Sequence, residues 1–227
     1  MKKLQQGKGQ RPGIRFNVNG IETRKTILHT AGELFSIYGY AGTSFRDITS
    51  KSNVGLGSLV YHFGVKENLF LATVSAYFPT QERFEEIVDP LENITAQSTK
   101  AEIIQAVSTV TGTFLKDIHC SRKASFMAKF YARMMLDATP ETDRLLKERM
   151  APARQKLLDF AKRVNPELSE EQAMAWRRCL VSQIDYTLFC TEAVLSEFKL
   201  HSFKPDAIDI IARNMAEISY PLLQRKD

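Results

Sequence analysis

The sequence has little of what most enzymatic and extracellular chemistry requires. It holds three cysteines, Cys120, Cys179 and Cys190, and four histidines. A small, odd cysteine count argues for reduced thiols rather than a disulfide framework. Cys179 and Cys190 fall in one expected helix, about 16 Å apart along its axis, too far for a disulfide. His29, His62, His119 and His201 are scattered. They form no Cys/His set at zinc spacing and no Glu-x-x-His pair of the kind that builds a di-metal bundle. No metal or cofactor is therefore expected. There is also no phosphate-loop consensus and no Gly-x-Ser-x-Gly elbow, which weighs against an enzyme.

Long apolar runs are missing too. The best candidate, residues 179–190, is interrupted by Ser182, Gln183 and Asp185, and a membrane helix needs roughly 20 largely apolar residues. Lys2 and Lys3 are not followed by an apolar stretch, so no secretory signal is expected and the cytoplasm is the expected location. No strand-like alternation, internal repeat or low-complexity block appears. What remains is an all-α chain of ordinary globular composition, 44% hydrophobic and 25% charged.

Charge is unevenly placed. The net charge is +5, but residues 1–70 carry ten Lys/Arg against four acids, whereas the other 157 carry 21 against 22. All the positive excess lies in the first third, the footprint of a nucleic-acid-facing module on a neutral body. Residues 1–20, rich in Gly, Lys, Arg and Gln, read as a basic arm. A first helix is expected over 22–38, with Ile27, Leu28, Ala31, Leu34, Phe35 and Tyr38 on one stripe. Gly39 would end it. Residues 44–63, SFRDITSKSNVGLGSLVYHF, read as two short helices joined by a tight turn at 52–55. Thr43 is the expected cap of the first, and Phe45, Ile48, Leu59 and Phe63 are expected to face inward. Ser44, Arg46, Leu56, Ser58, Val60, Tyr61 and His62 are then left to face DNA, with Gly55 allowing close backbone approach. Lys66, opening the next helix, adds a charge at a helix N-terminus suited to phosphate.

The run over residues 24–70 resembles the DNA-binding domain of the TetR family of bacterial regulators. The resemblance rests on Ile27-Leu28, Ala31, Leu34-Phe35, Gly39-Tyr40, Thr43, Asp47-Ile48, Val54, Gly57, Leu59, Tyr61-His62-Phe63, Lys66-Glu67 and Leu69-Phe70. It implies a TetR-like all-α fold of about nine helices and a homodimer on a palindromic double-stranded operator. It also implies a repressor released by a small hydrophobic or amphipathic effector. Thr43, Ser58, Tyr61, His62 and Lys66 match positions that touch phosphate or bases. Gly55, Leu56 and Val60 depart from the usual Ser/Thr, polar or basic residue, and Tyr. Val65 replaces the usual capping Ser/Thr. Leu56 and Val60 therefore point to apolar contact with thymine methyls.

The implied division is an arm over 1–20, a DNA-binding domain over 21–70 and a ligand-binding and dimerisation domain over 71–227. In the last, capping boxes at Thr99/Glu102 and Ser169/Gln172 open helices through about 118 and 198. Others are expected over 121–136, from Pro140 to 163 with a break or kink at Pro152, and from Pro205. The last two long helices have apolar residues to spare. By the resemblance they pair with their twins through Trp176, Leu180, Ile208, Ile211 and Met215, with Arg177 and Gln183 on the rim. Phe126, Phe130, Tyr131, Met134, Tyr186 and Phe189 form a ligand-pocket set, with Arg133 or Asp185 orienting the ligand; simple core filling explains the same residues. Asp185, an acid in an apolar run, needs a partner. A helical enzyme and a non-specific nucleic-acid-binding scaffold are the alternative classes.

Overall fold

The computed structural model describes residues 18–120, 126–137 and 139–224. Helix α1 (Val18–Tyr38) begins earlier than its stripe suggested and takes in the last residues of the expected arm. The rest of that arm lies outside the described residues. Ile27, Leu28, Ala31, Leu34 and Phe35 are buried as expected, but Tyr38 is 58% exposed. Gly39, at φ +71°, turns the chain out of the helix. Helix α2 (Phe45–Ser52) is capped by Ser44, not Thr43. Ser44 and Asp47 form a reciprocal capping box, whereas the buried Thr43 hydroxyl donates to the Gly39 carbonyl at 2.9 Å. Asn53, at φ +56°, makes the turn, a left-handed conformation that asparagine tolerates. Helices α3 (Leu56–Phe63) and α4 (Lys66–Tyr77) follow. Ile48, Leu59 and Leu69, all fully buried, close the head around α1.

The body contains a helix that the sequence reading missed, α5 (Gln81–Val88). Its signals are the Thr80 hydroxyl, which accepts from the Arg83 amide, and the inward spacing of Phe84, Ile87 and Val88. A 3-10 turn at Asp89–Leu91 leads on to α6 (Lys100–His119) and α7 (Met127–Leu136). Residues 121–125, expected to begin α7, lie outside the described residues. Helix α8 (Pro140–Val164) continues through Pro152 without the expected break. The carbonyl that loses its helical donor is that of exposed Glu148, which water can satisfy. Helix α9 (Glu170–Phe189) ends at Cys190 instead of running to 198, and α10 (Thr191–Glu197) follows. There the Thr191 hydroxyl bonds back to the carbonyls of Thr187 and Leu188, a local competition that bends helices. Helix α11 (Pro205–Ser219) packs along α6 in the most extensive helix pairing of the body. The described residues thus form eleven α-helices, more than the nine that the resemblance implied.

Head and body meet where α1 packs on α7. Gly32 lies against the ring of buried Phe126, and a Cβ there would run into it. Phe126 also meets His29, Tyr77 and Phe130, with ring centroids 5.5, 5.0 and 6.1 Å away. Arg133 donates to the Ile37 carbonyl at 3.4 Å, and Arg149 of α8 to Ser75 Oγ of α4 at 3.0 Å.

At the end of α6, His119 is largely buried against Phe203, ring centroids 4.2 Å apart, and its Nε2 has no partner among the described residues. Burial drives its pKa down to about 4. A histidine kept neutral in the fold leaves the unfolded chain to take up the proton first. Its contribution to stability is therefore full above about pH 6.5 and is lost as pH falls towards 4, by ~3 kcal/mol at most. His119→Gln should flatten the dependence of the unfolding midpoint on pH in that window. An unaltered slope would place the histidine in water.

Candidate DNA interface and effector cleft

The α2–α3 unit presents one face outward. Leu59 and Phe63 anchor α3 to the head core, and helical spacing then turns Leu56, Val60 and Tyr61 out, at 51%, 46% and 86% exposure. Ser58 and His62 flank them, half-buried. Gly55 and Gly57 are exposed, and a Cβ at either would meet nothing. No contact among the described residues requires glycine there. Arg46 projects from α2 with no ion pair among the described residues, whereas Lys51 is held by Glu33 at 3.2 Å. Arg24 stacks on Phe63, 5.3 Å from its centroid.

Two expected contact residues are placed otherwise. Thr43 is buried and spent on Gly39. Lys66 does not stand free for phosphate. Its ammonium donates to the carbonyls of Tyr40 at 2.9 Å and Thr43 at 3.2 Å and lies 4.4 Å from the centre of the Tyr40 ring. It ties the loop after α1 to the start of α4. Ser44 is exposed, but its hydroxyl donates to Asp47 Oδ2 at 2.6 Å. These bonds hold the Asp47 carboxyl below its ordinary range.

In the body, an apolar cleft of about 70 Å³ opens between α5, α6, α7, α8 and α9. Phe84, Ile87, Val88, Val110, Phe114, Met150, Leu157, Val181 and Ile184 line it, with Tyr131, Arg154 and Asp185 as polar groups. Tyr131 and Asp185 line it side by side, and burial raises the pKa of both. Arg154 counteracts that shift at Asp185. Of the expected pocket set, Tyr131 and Asp185 are therefore brought together. Phe126, Phe130 and Met134 instead fill the core on α7. Arg133 braces α1 and pairs with Asp137. Tyr186 and Phe189 are 47% and 39% exposed and do not line the cleft. Arg154 was missed, although its place in the Met150–Leu157 stripe was readable.

The residues expected to pair two copies are mostly internal. Trp176, Leu180, Ile208, Ile211 and Met215 are buried within the single chain, because α8 and α6 already cover those stripes. Gln183 borders a shallow groove of about 270 Å³ between α9, α10 and α11, with Tyr186, Phe198 and Ile218 exposed along it. Arg177 is half-buried, one turn before Val181 on the stripe of α9 that reaches the cleft.

A helical head carrying an exposed second helix, fixed to a larger helical body, defines a helix-turn-helix regulator. Residues 27–73 match the model of bacterial regulatory proteins of the tetR family. Residues 103–224, more than half the chain, match the C-terminal domain of the HTH-type transcriptional dual regulator CecR. The chain belongs to the TetR family of transcriptional regulators and carries a body of the CecR type.

Among curated relatives, the HTH-type transcriptional regulator LmrA of Bacillus subtilis is 36% identical over 100 residues, 44% of this chain and 47% of the relative. The HTH-type transcriptional repressor AcnR of Corynebacterium glutamicum is 40% identical over 50 residues, 22% of this chain and 27% of the relative. The chain thus spans less than half the length of these relatives. Solved structures align over nearly their whole length. AibR, in complex with isovaleryl coenzyme A and operator DNA, superimposes with a TM-score of 0.61 at 17% identity, covering 86% of this chain and 97% of that one. NalD, the secondary repressor of the MexAB-OprM efflux pump in Pseudomonas aeruginosa, gives 0.56 at 19% identity, covering 89% and 96%. At these identities the likeness is one of fold.

The place of Lys66 makes a prediction that separates brace from clamp. Lys66→Met should lower stability by roughly 1–3 kcal/mol, through loss of two charge-assisted hydrogen bonds. The salt dependence of DNA binding should keep its slope. A slope reduced by about one, with stability unchanged, would make Lys66 a phosphate contact.

Proposed function

We propose that this chain is a ligand-responsive repressor that binds a palindromic operator as a homodimer in the cytoplasm. The observation that carries the DNA-reading role is the exposed apolar tip of α3. Leu56, Val60 and Tyr61 are presented to solvent by a helix whose other side is fully anchored. Such a surface is costly unless something covers it. A major groove supplies thymine methyls for Leu56 and Val60 and phosphate or base edges for Tyr61. Arg46, Ser58 and His62 flank this contact, and Gly55 and Gly57 let the backbone come close to DNA. The uneven charge of the first 70 residues provides the attracting field.

The two copies would join through the outer face of α9–α11, where Tyr186, Phe198, Ile210 and Ile218 are exposed, not through the stripes that the chain already buries. The effector would enter the apolar cleft beside Tyr131. A cleft of about 70 Å³ is far smaller than the roughly 300 Å³ at which ligand pockets begin, so binding requires its walls to part. Tyr131 lies on α7, the helix whose Phe126 and Phe130 press on the head. Displacing α7 would shift α1 and with it the spacing of two recognition helices that must sit about 34–36 Å apart on DNA. A ligand preferring the opened state would then release the operator. That one solved TetR-like structure holds both an acyl coenzyme A and operator DNA supports a two-ligand reading of this fold.

Selection of bound fragments from a random DNA pool should return a palindrome. Recovery of unrelated sequences would favour a non-specific nucleic-acid binder. On the selected site, Tyr61→Ala should cost roughly 1–3 kcal/mol of binding while leaving the unfolding midpoint in place. Retained affinity would remove Tyr61 from the interface.

A further inference from the structure

The cleft carries a charge pattern that identifies the chemistry of its occupant. Its walls are hydrocarbon and aromatic, supplied by Phe84, Phe114, Leu157 and Ile184 among others. Two arginines lie on its α8–α9 side, Arg154 lining the cleft and Arg177 outside the lining but near enough to Arg154 for their charges to repel. Arg154 is a lining residue, half-buried between Met150 and Leu157 on one stripe of α8. Arg177 lies four residues before Val181 and eight before Asp185, on the same stripe of α9, and is also half-buried. Among the described residues neither guanidinium has a carboxylate within ion-pair distance, and the polar contact made by Arg154 is to Met150 Sδ at 3.7 Å. Arg154 and Arg178 both disfavour the charge on Arg177, beyond the cost of its burial. The acid nearby, Asp185, feels the charge of Arg154 without closing an ion pair with it among the described residues.

Two cations beside an apolar cavity, with one nearby acid that closes an ion pair with neither among the described residues, are an arrangement that a further anion relieves. Burying charge without a partner is expensive. A planar guanidinium fork suits a carboxylate in particular. We infer that the effector is an amphipathic anion, a carboxylate with a hydrocarbon tail. Its tail would lie among Phe84, Phe114 and Ile184, and its head would bridge Arg154 and Arg177. Burial disfavours the charged form of Asp185 and so weakens its competition for Arg154. This inference rests on the reading of the cleft as an effector site. It adds a ligand class and does not depend on which operator is read.

The test uses the full chain with octanoate, octanol and octylamine as probes of matched tail and different head. Binding is followed by calorimetry without DNA, and release by displacement from the selected operator. Octanoate should bind at least about tenfold more tightly than octanol, and octylamine should not compete. Arg154→Gln and Arg177→Gln should each bring octanoate down to the affinity of octanol while leaving octanol unchanged. Asp185→Asn should strengthen octanoate. Unchanged unfolding midpoints and operator affinities certify that the variants fold. If octylamine binds best, if octanoate ignores both arginine substitutions, or if none of the three binds, the assignment is overturned. Octanoate that binds through both arginines yet leaves DNA in place would uphold the ligand class and refute effector-driven release. Release by octylamine alone would do the reverse.

Discussion

The structure turns on one close approach, that of Gly32 on α1 to the Phe126 ring on α7. A side chain at residue 32 would occupy the space of the ring, so glycine here sets how near the two helices lie. The same ring touches His29 and Tyr77, which makes it a wedge set in three helices of the head and body. From it a line of aromatic contacts runs in both directions. Phe130 leads to Phe70 and Phe35 in the head core. On the next residue of α7, Tyr131 leads to Phe78, Phe114 and, through it, Phe84 around the cleft. Close-packed interiors transmit displacement because they have few voids to absorb it. The head core and the cleft are thus joined by one packed path.

That path explains why the head is so economical. One long helix and three shorter ones bury a small core, and a unit of that size is marginal alone. Its stability is borrowed from α7 and α8, through Phe126, Arg133 and Arg149, and from Lys66, which ties the carbonyls of Tyr40 and Thr43 to the start of α4. Charges that a sequence reading assigns to DNA are here spent on architecture. The residues left facing outward on α3 are mostly apolar, and Arg46 on α2 is exposed with no ion pair among the described residues.

Much of this was legible in the sequence. The stripe of α1, the glycine stop at Gly39, the inward Leu59 and Phe63, and the capping boxes at Thr99 and Ser169 are local signals, and local chemistry decided them. What failed were judgements that depend on neighbours. Thr43 looked like a cap, but Ser44 has the better geometry with Asp47 three residues on. Trp176 and Met215 looked like spare apolar surface only because the packing of α6 and α8 against those helices cannot be seen in a periodicity. The cleft was half legible. Asp185 announced itself as an acid in an apolar run, whereas Arg154 passed for one more charged residue on a polar helix, although its register with Met150 and Leu157 set it on the apolar stripe.

The coupling through Phe126 can be tested without knowing the effector. Native-state hydrogen exchange of Phe126→Ala, compared with the unaltered chain, reads the protection of each helix separately. Protection should fall together in the second half of α1 and in α7, while α6 and α11 keep theirs. Loss confined to α7, with α1 as protected as before, would contradict a head held and moved through this contact.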